Sequence, residues 1–219
     1  MTNLTKQSES NQYEFEMNTQ EPADKQEIIL QAAHRRLGVY GFEKTTMNEI
    51  ARDIGMSKAA LYYYYPDKEA IFKAVISRDM NEYFVRVDQI IASQQPADQM
   101  ILEYVSHRIK YLKIFMNMSK LRSVILEEIK PLLKEILLDF KVKEVGKLAQ
   151  IIEKGNQSAL FNSENPPQDA QLLLDVMKGL RFSLVHQKTF VELSDEEISM
   201  LDENFIRFTK FYIKGLKYK

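Results

Sequence analysis

Cysteine and tryptophan are both absent from the sequence. Without thiols there is no disulfide framework, no thiolate zinc site and no cysteine nucleophile, a composition that suits a reducing cytoplasm. Turn-forming residues are scarce as well. Seven glycines and six prolines among 219 residues are too few for an all-β chain, which needs turn chemistry every ~8–12 positions. No uninterrupted apolar stretch approaches the ~20 residues that span a bilayer. Nor does a basic segment followed by an apolar run mark a secretory signal. A helical, cytoplasmic chain without a membrane span is therefore expected. A hydrophobic content of 45% allows a sizeable core, and a charged content of 28% is ordinary.

A formal net charge of -1 suits no nucleic-acid binder by itself, but the charge is unevenly placed. Up to residue 24, Lys6 stands against Glu9, Glu14, Glu16, Glu21 and Asp24. The next fifty or so residues are mildly basic, a bias that permits phosphate contact without demonstrating it. Residues 1–22 are polar, poor in apolar positions, and read as a flexible acidic tail.

From Ala23 onward, apolar residues recur with helical period in about nine helices, and an all-α fold is expected. The first, about 24–40, ends at Gly41. Thr46 and Glu49 stand at capping-box spacing before a second, about 46–54. Gly55 supplies a turn, Ser57 caps a short third helix reaching Tyr64 or Tyr65, Pro66 stops it, and Asp67 starts a long fourth to about residue 92. Further helices are expected at about 97–117, 119–129, 131–154 (opened by Pro131) and 167–187, with a loop over 155–166. Ser194 with Glu197, and Leu193 with Ile198, give the last helix a capping box and staple.

Ala51 and Gly55 occupy the small and turn positions that a helix-turn-helix requires, and Ile50, Ile54, Met56 and Leu61 can lock its helices together. Lys58, Ala59, Tyr62 and Tyr63 fall on outward faces, free to enter a major groove. Spacing alone leaves any compact three-helix bundle as a competing reading. The residues themselves go further. Thr45-Thr46, Ile50-Ala51, Gly55, Ser57-Lys58, Leu61-Tyr62-Tyr63-Tyr64-Tyr65, Lys68-Glu69 and Ile71-Phe72, in this order, closely resemble the TetR/AcrR family of bacterial regulators. Ala59 stands where many members have Gly, and Tyr65 where most have Phe.

After the tail (1–22), that resemblance implies a three-helix DNA-binding domain (23–72) and a helical effector-binding and dimerisation domain (73–219). It implies a DNA-binding transcriptional regulator, a ligand-responsive repressor that binds a palindromic operator as a homodimer. Carried across residue by residue, Thr46 (or Thr45) would cap the second helix and offer its N–H and hydroxyl to a phosphate. Ser57, Lys58, Ala59, Tyr62 and Tyr63 would face the groove, and Tyr64 and Lys68 would hold phosphates. The tyrosines could instead pack a small domain, and Lys68 could be a solvated lysine.

Beyond the fourth helix the resemblance is architectural. A stretch rich in Met and aromatic residues sets Tyr104, His107, Arg108, Tyr111 and Phe115 on adjoining faces, as a pocket for a small hydrophobic effector would require. Phe161, Met177, Arg181 and His186 are further candidates. If Arg108 faces the pocket it favours an anionic head group; the alternative is plain core. Leu172, Gly179, Phe182, Ser183, Phe205 and Phe208 carry more apolar or small surface than one face needs and suit a two-chain four-helix bundle, or else they complete the chain's own core. No nucleophile elbow, P-loop or dinucleotide glycine pattern occurs. His34, a surface residue on this reading, lies far from His107 and His186, without metal spacing. No enzyme, metal or cofactor is expected. A helical ligand-binding or protein-interaction module without DNA binding is the alternative.

Overall fold

The computed structural model describes residues 22–119, 123–185 and 195–217. Eight α-helices and no strand occur among them: α1 (Pro22–Lys44), α2 (Met47–Asp53), α3 (Lys58–Tyr64), α4 (Lys68–Ala92), α5 (Ala97–Ser119), α6 (Ser123–Gln157), α7 (Pro166–Val185) and α8 (Asp195–Lys217). The tail, His186, Leu193, Ser194 and the side chains of Phe115, Ser183, Glu197 and Ile198 lie outside the described set.

Local chemistry explains most boundaries. Gly41 takes φ 77° and ψ 172°, outside helical space, so the regular part of α1 ends there and a short turn carries the chain to Lys44. Asp67 caps α4 by accepting the Ala70 N–H at 2.6 Å. At 25 residues, α4 is roughly 37 Å long and runs past residue 72 without a break.

The helices expected on either side of Pro131 are one. Proline at that position lies inside α6, where a missing N–H and a ring clash cost about 3 kcal/mol. Leu133, Leu148, Ile151 and Ile152 on the same helix are all buried, and burying each contributes about 1.5–3 kcal/mol. Burial therefore outweighs the proline, and the helix continues through it. Its last turn is seated on Phe161: a Cβ at Gly155 would lie 1.9 Å from that ring. The connection to α7 is accordingly shorter than expected, 158–165.

A single buried core runs from Ile29 and Leu37 through Ile76 and Val87 to Ile101, Leu148 and Phe205. At its centre, α5 packs against α1, α4, α6 and α8, while α2 and α3 build outward from α1. An ion pair and a histidine–carboxylate contact clasp α1 to α4. Arg78 meets Glu27 at 3.1 Å, and Asp79 meets His34 at 3.4 Å. His34 is thus a partner in that clasp rather than a bystander on the surface. No helix among the described residues is long and apolar enough to cross a membrane.

Candidate nucleic-acid interface

The turn between α2 and α3 is built from backbone bonds that its sequence allows. Gly55 sits at φ 64°, the left-handed region that glycine enters without steric cost. The Gly55 N–H donates to the Arg52 carbonyl at 3.2 Å and the Met56 N–H to the Ala51 carbonyl at 2.9 Å. This pair of bonds is the Schellman ending of a helix. Ser57 then caps α3, its Oγ accepting the Ala60 N–H at 3.1 Å. Ile50, Ala51 and Leu61 are buried and Ile54 and Met56 pack half-buried against them, which fixes the angle between the two helices.

On that frame α3 turns one face in and the other out. Leu61 is fully buried, whereas Lys58, Ala59, Tyr62 and Tyr63 are exposed, Tyr63 to 84%. The Lys58 ammonium lies over the Tyr62 ring at 5.6 Å. Tyr64 is half-buried, edge-on to Tyr63 at 5.3 Å. Tyr65 packs half-buried against the core, and burial pushes its hydroxyl pKa up.

Three expected phosphate ligands are engaged elsewhere. Thr45 is buried and donates its hydroxyl to the Gly41 carbonyl at 2.8 Å. Thr46 completes the capping box: its Oγ accepts the Glu49 N–H, while its own N–H (3.0 Å) and hydroxyl (2.8 Å) both donate to the Glu49 carboxylate. Lys68 donates to the Phe42 carbonyl at 3.0 Å and sits over the Phe42 ring at 4.2 Å, tying α4 to the end of α1. One ammonium donor is taken and two remain.

An ion pair invisible in the local sequence steadies α2. Arg36 on α1 donates to both Asp53 oxygens, at 2.5 and 2.9 Å, and approaches Glu49 at 3.4 Å. The hydrogen bond from Arg36 holds the Asp53 carboxyl below its usual range, and the Thr46 hydroxyl does the same for Glu49.

The candidate effector residues do not gather around an open Arg108. Arg108 reaches Glu144 through Nε at 2.7 Å and Nη2 at 3.3 Å, and the same carboxylate accepts the hydroxyls of Tyr83 and Tyr104, each at 3.0 Å. Burial works against the Arg108 charge, but Glu144 outweighs it. Burial, with the carboxylate beside them, pushes both tyrosines well above the usual range, so they remain hydroxyl donors. The head group expected on Arg108 is already supplied by the chain itself. His107 stacks on Tyr83 at 4.8 Å and bonds the Tyr83 carbonyl through Nε2 at 3.2 Å; a carbonyl only accepts, so Nε2 carries the proton. Tyr111 packs on Tyr83 and Phe140 at 4.8 and 5.7 Å. Met177 is fully buried and Arg181 half-buried on α7. Phe161, against Gly155, lies about 16 Å along α6 from Glu144 and belongs to a separate part of the core.

Of the expected interface residues, Leu172 and Phe182 are 55% and 59% exposed, and Gly179 opens onto free space. Phe205 is only 1% exposed, and Phe208 packs half-buried, so these two complete the chain's own core. The outer face of α8 carries Met200 and Phe211 instead, both exposed and eleven positions apart, about three helical turns.

Residues 29–75 match the family described as bacterial regulatory proteins, tetR family. Across 89% of this chain and 99% of the other, a transcriptional regulator from Cytophaga hutchinsonii ATCC 33406 is 35% identical and superposes with a TM-score of 0.82. The uncharacterized HTH-type transcriptional regulator YhgD of Bacillus subtilis (strain 168) is 23% identical over 202 residues, 88% of this chain and 97% of that one. IcaR of Staphylococcus epidermidis, the HTH-type negative transcriptional regulator of the icaADBC biofilm operon, is 26% identical over 100 residues, 44% of this chain and 54% of its own. With a capped helix-turn-helix on α2 and α3 and a relative matched along nearly its whole length, the chain belongs to the tetR family and is a DNA-binding transcriptional regulator, not an enzyme.

Proposed function

We propose that the chain is a ligand-responsive repressor, acting in the cytoplasm as a homodimer on a palindromic operator. The observation that carries this reading is the outward row of α3, where Lys58, Ala59, Tyr62 and Tyr63 stand exposed while Leu61 anchors the helix from behind. Ser57, Lys58, Ala59, Tyr62 and Tyr63 would face the major groove, with Tyr64 holding a phosphate beside them. Thr46 joins only by sharing donors now held by Glu49, and Lys68 through the two ammonium donors that its bond to the Phe42 carbonyl leaves.

Dimerisation would bring together the outer faces of α7 and α8, where Leu172, Phe182, Met200 and Phe211 are exposed. Two modules so paired address half-sites about one helical turn of DNA apart, or a multiple of it. A small apolar effector, with no further cofactor, would bind among the C-terminal helices and shift α4, which runs unbroken from the DNA-binding domain into them. Repression is the action named for IcaR, and release of DNA by the effector follows from that reading. Selection of bound duplexes from a random pool tests it. An inverted repeat should be recovered; an asymmetric site, or one bound by a single chain, would contradict it.

A further inference from the structure

The two ends of the helix-turn-helix meet at one contact. Its helices, α2 and α3, lie within the stretch 42–68, and Lys68, the first residue of α4, reaches back across 26 positions to Phe42. The ammonium donates to the Phe42 carbonyl at 3.0 Å and sits over the Phe42 ring at 4.2 Å. One turn further along the same face of α4, Phe72 packs its ring on Phe42 at 4.9 Å. Two side chains of α4 thus grip one residue at the end of α1. Phe42 in turn fixes where α2 begins: its carbonyl also accepts the Thr45 N–H at 3.3 Å, directly before the Thr46 cap. Among the described residues, Lys68 makes no ion pair with a carboxylate.

The motif does not depend on this contact to hold together. Ile50, Ala51 and Leu61 are buried between its helices, and Arg36 ties α2 to α1. What the contact adds is closure. At one end, α3 joins α4 through Tyr65, Pro66 and Asp67. At the other, the start of α2 is tied to the first turn of α4 through Phe42. A unit joined at one end can swing, whereas one joined at both holds a single angle. We propose that Lys68 is a positioning residue for operator binding, acting through Phe42 to hold α2 and α3 at a fixed angle on α4. A recognition helix held in its docking pose loses less freedom when it meets DNA, and binds more tightly for that reason. This role is distinct from a phosphate contact, which the two remaining ammonium donors can make. It gives operator affinity a dependence on Phe42, a half-buried, uncharged residue away from the outward face of α3.

Fluorescence anisotropy of the full chain, on a duplex that the parent selects from a random pool, tests the proposal. Phe42→Leu keeps the carbonyl and every charge. It should weaken binding roughly fivefold or more, the scale of a lost cation–π contact and lost preorganisation. Its salt dependence should run parallel to the parent's, since no phosphate contact is removed. Lys68→Met should weaken binding at least as much, and Lys68→Arg, which keeps a cation for the ring and the carbonyl, should recover most of the loss. The double variant Phe42→Leu with Lys68→Met should bind within about twofold of Lys68→Met alone, because both changes break the same contact. Thermal melting is read beside each titration. A contact that serves folding alone lowers the melting temperature and leaves the affinity of the folded chain at the parent's value. Parent-like binding by Phe42→Leu, or losses that multiply in the double variant, overturns the positioning role and leaves α3 standing as the DNA-binding helix.

Discussion

Arg108 on α5 donates to Glu144 on α6 through two nitrogens, Nε at 2.7 Å and Nη2 at 3.3 Å. Because that carboxylate also accepts Tyr83 from α4 and Tyr104 from α5, one buried side chain joins three helices. Removing it leaves a buried cation and two hydroxyls without an acceptor. Glu144→Ala is expected to cost about 3–5 kcal/mol, the range for breaking a buried pair. Urea denaturation checks this; a loss under 1 kcal/mol, roughly that of an exposed pair, would show that the three groups find other partners.

The carboxyls of Asp53 and Glu49 are held below their usual range, chiefly by Arg36 and by Thr46. A depressed folded pKa stabilises at neutral pH and stops doing so as pH falls below the unfolded value of about 4. Both side chains are about a third exposed, 35% for Asp53 and 33% for Glu49, so solvent screens the pairs and the effect is modest. The thermal midpoint should decline between pH 5 and pH 3 (roughly the carboxylate range), and Asp53→Asn should flatten part of that decline. An Asp53→Asn profile parallel to the parent's would remove the Arg36 pair from the account.

Gly155 and Phe161 form a contact that admits no side chain. A Cβ would lie 1.9, 2.5 and 2.7 Å from three ring carbons. Gly155→Ala should cost about 1–3 kcal/mol through overpacking, and Phe161→Leu in the same chain should recover part of it. Additive losses in the double variant would contradict the contact.

Leu172 and Phe182 should behave unlike Phe205. Exposed at 55%, Leu172 can be changed to Glu with little effect on the isolated chain, yet the change, made together with Phe182→Glu, should shift sedimentation from dimer to monomer. Phe205, at 1% exposure, should instead lose about 3–5 kcal/mol as Phe205→Ala. A dimer that survives Leu172→Glu with Phe182→Glu would move the interface elsewhere.

How far the sequence could be read tracks the distance over which each interaction acts. Thr46 with Glu49, Ser57 with Ala60 and the Ala51–Gly55 turn close within a few residues, so the DNA-binding unit was legible. Arg36 with Asp53 is 17 positions apart and Arg108 with Glu144 is 36 apart. Such partners are chosen by helix packing, and no periodicity announces them. Even nearby, Thr45 and Thr46 are indistinguishable by type; only the turn at Gly41 buries one and exposes the other. Pro131 was misread for a related reason. A proline favours a helix start locally, but the core packed along α6 holds the helix through it.

The central claim is that the outward face of α3 binds the operator. Fluorescence anisotropy of the parent and of Lys58→Ala with Tyr63→Ala, on duplex from upstream of the chain's own gene, tests it most directly. Each such contact contributes about 1–3 kcal/mol, so the double variant should bind at least ~30-fold more weakly with its melting temperature retained. The parent's affinity should also fall steeply with salt. A folded double variant that binds as tightly as the parent would place the DNA on another surface.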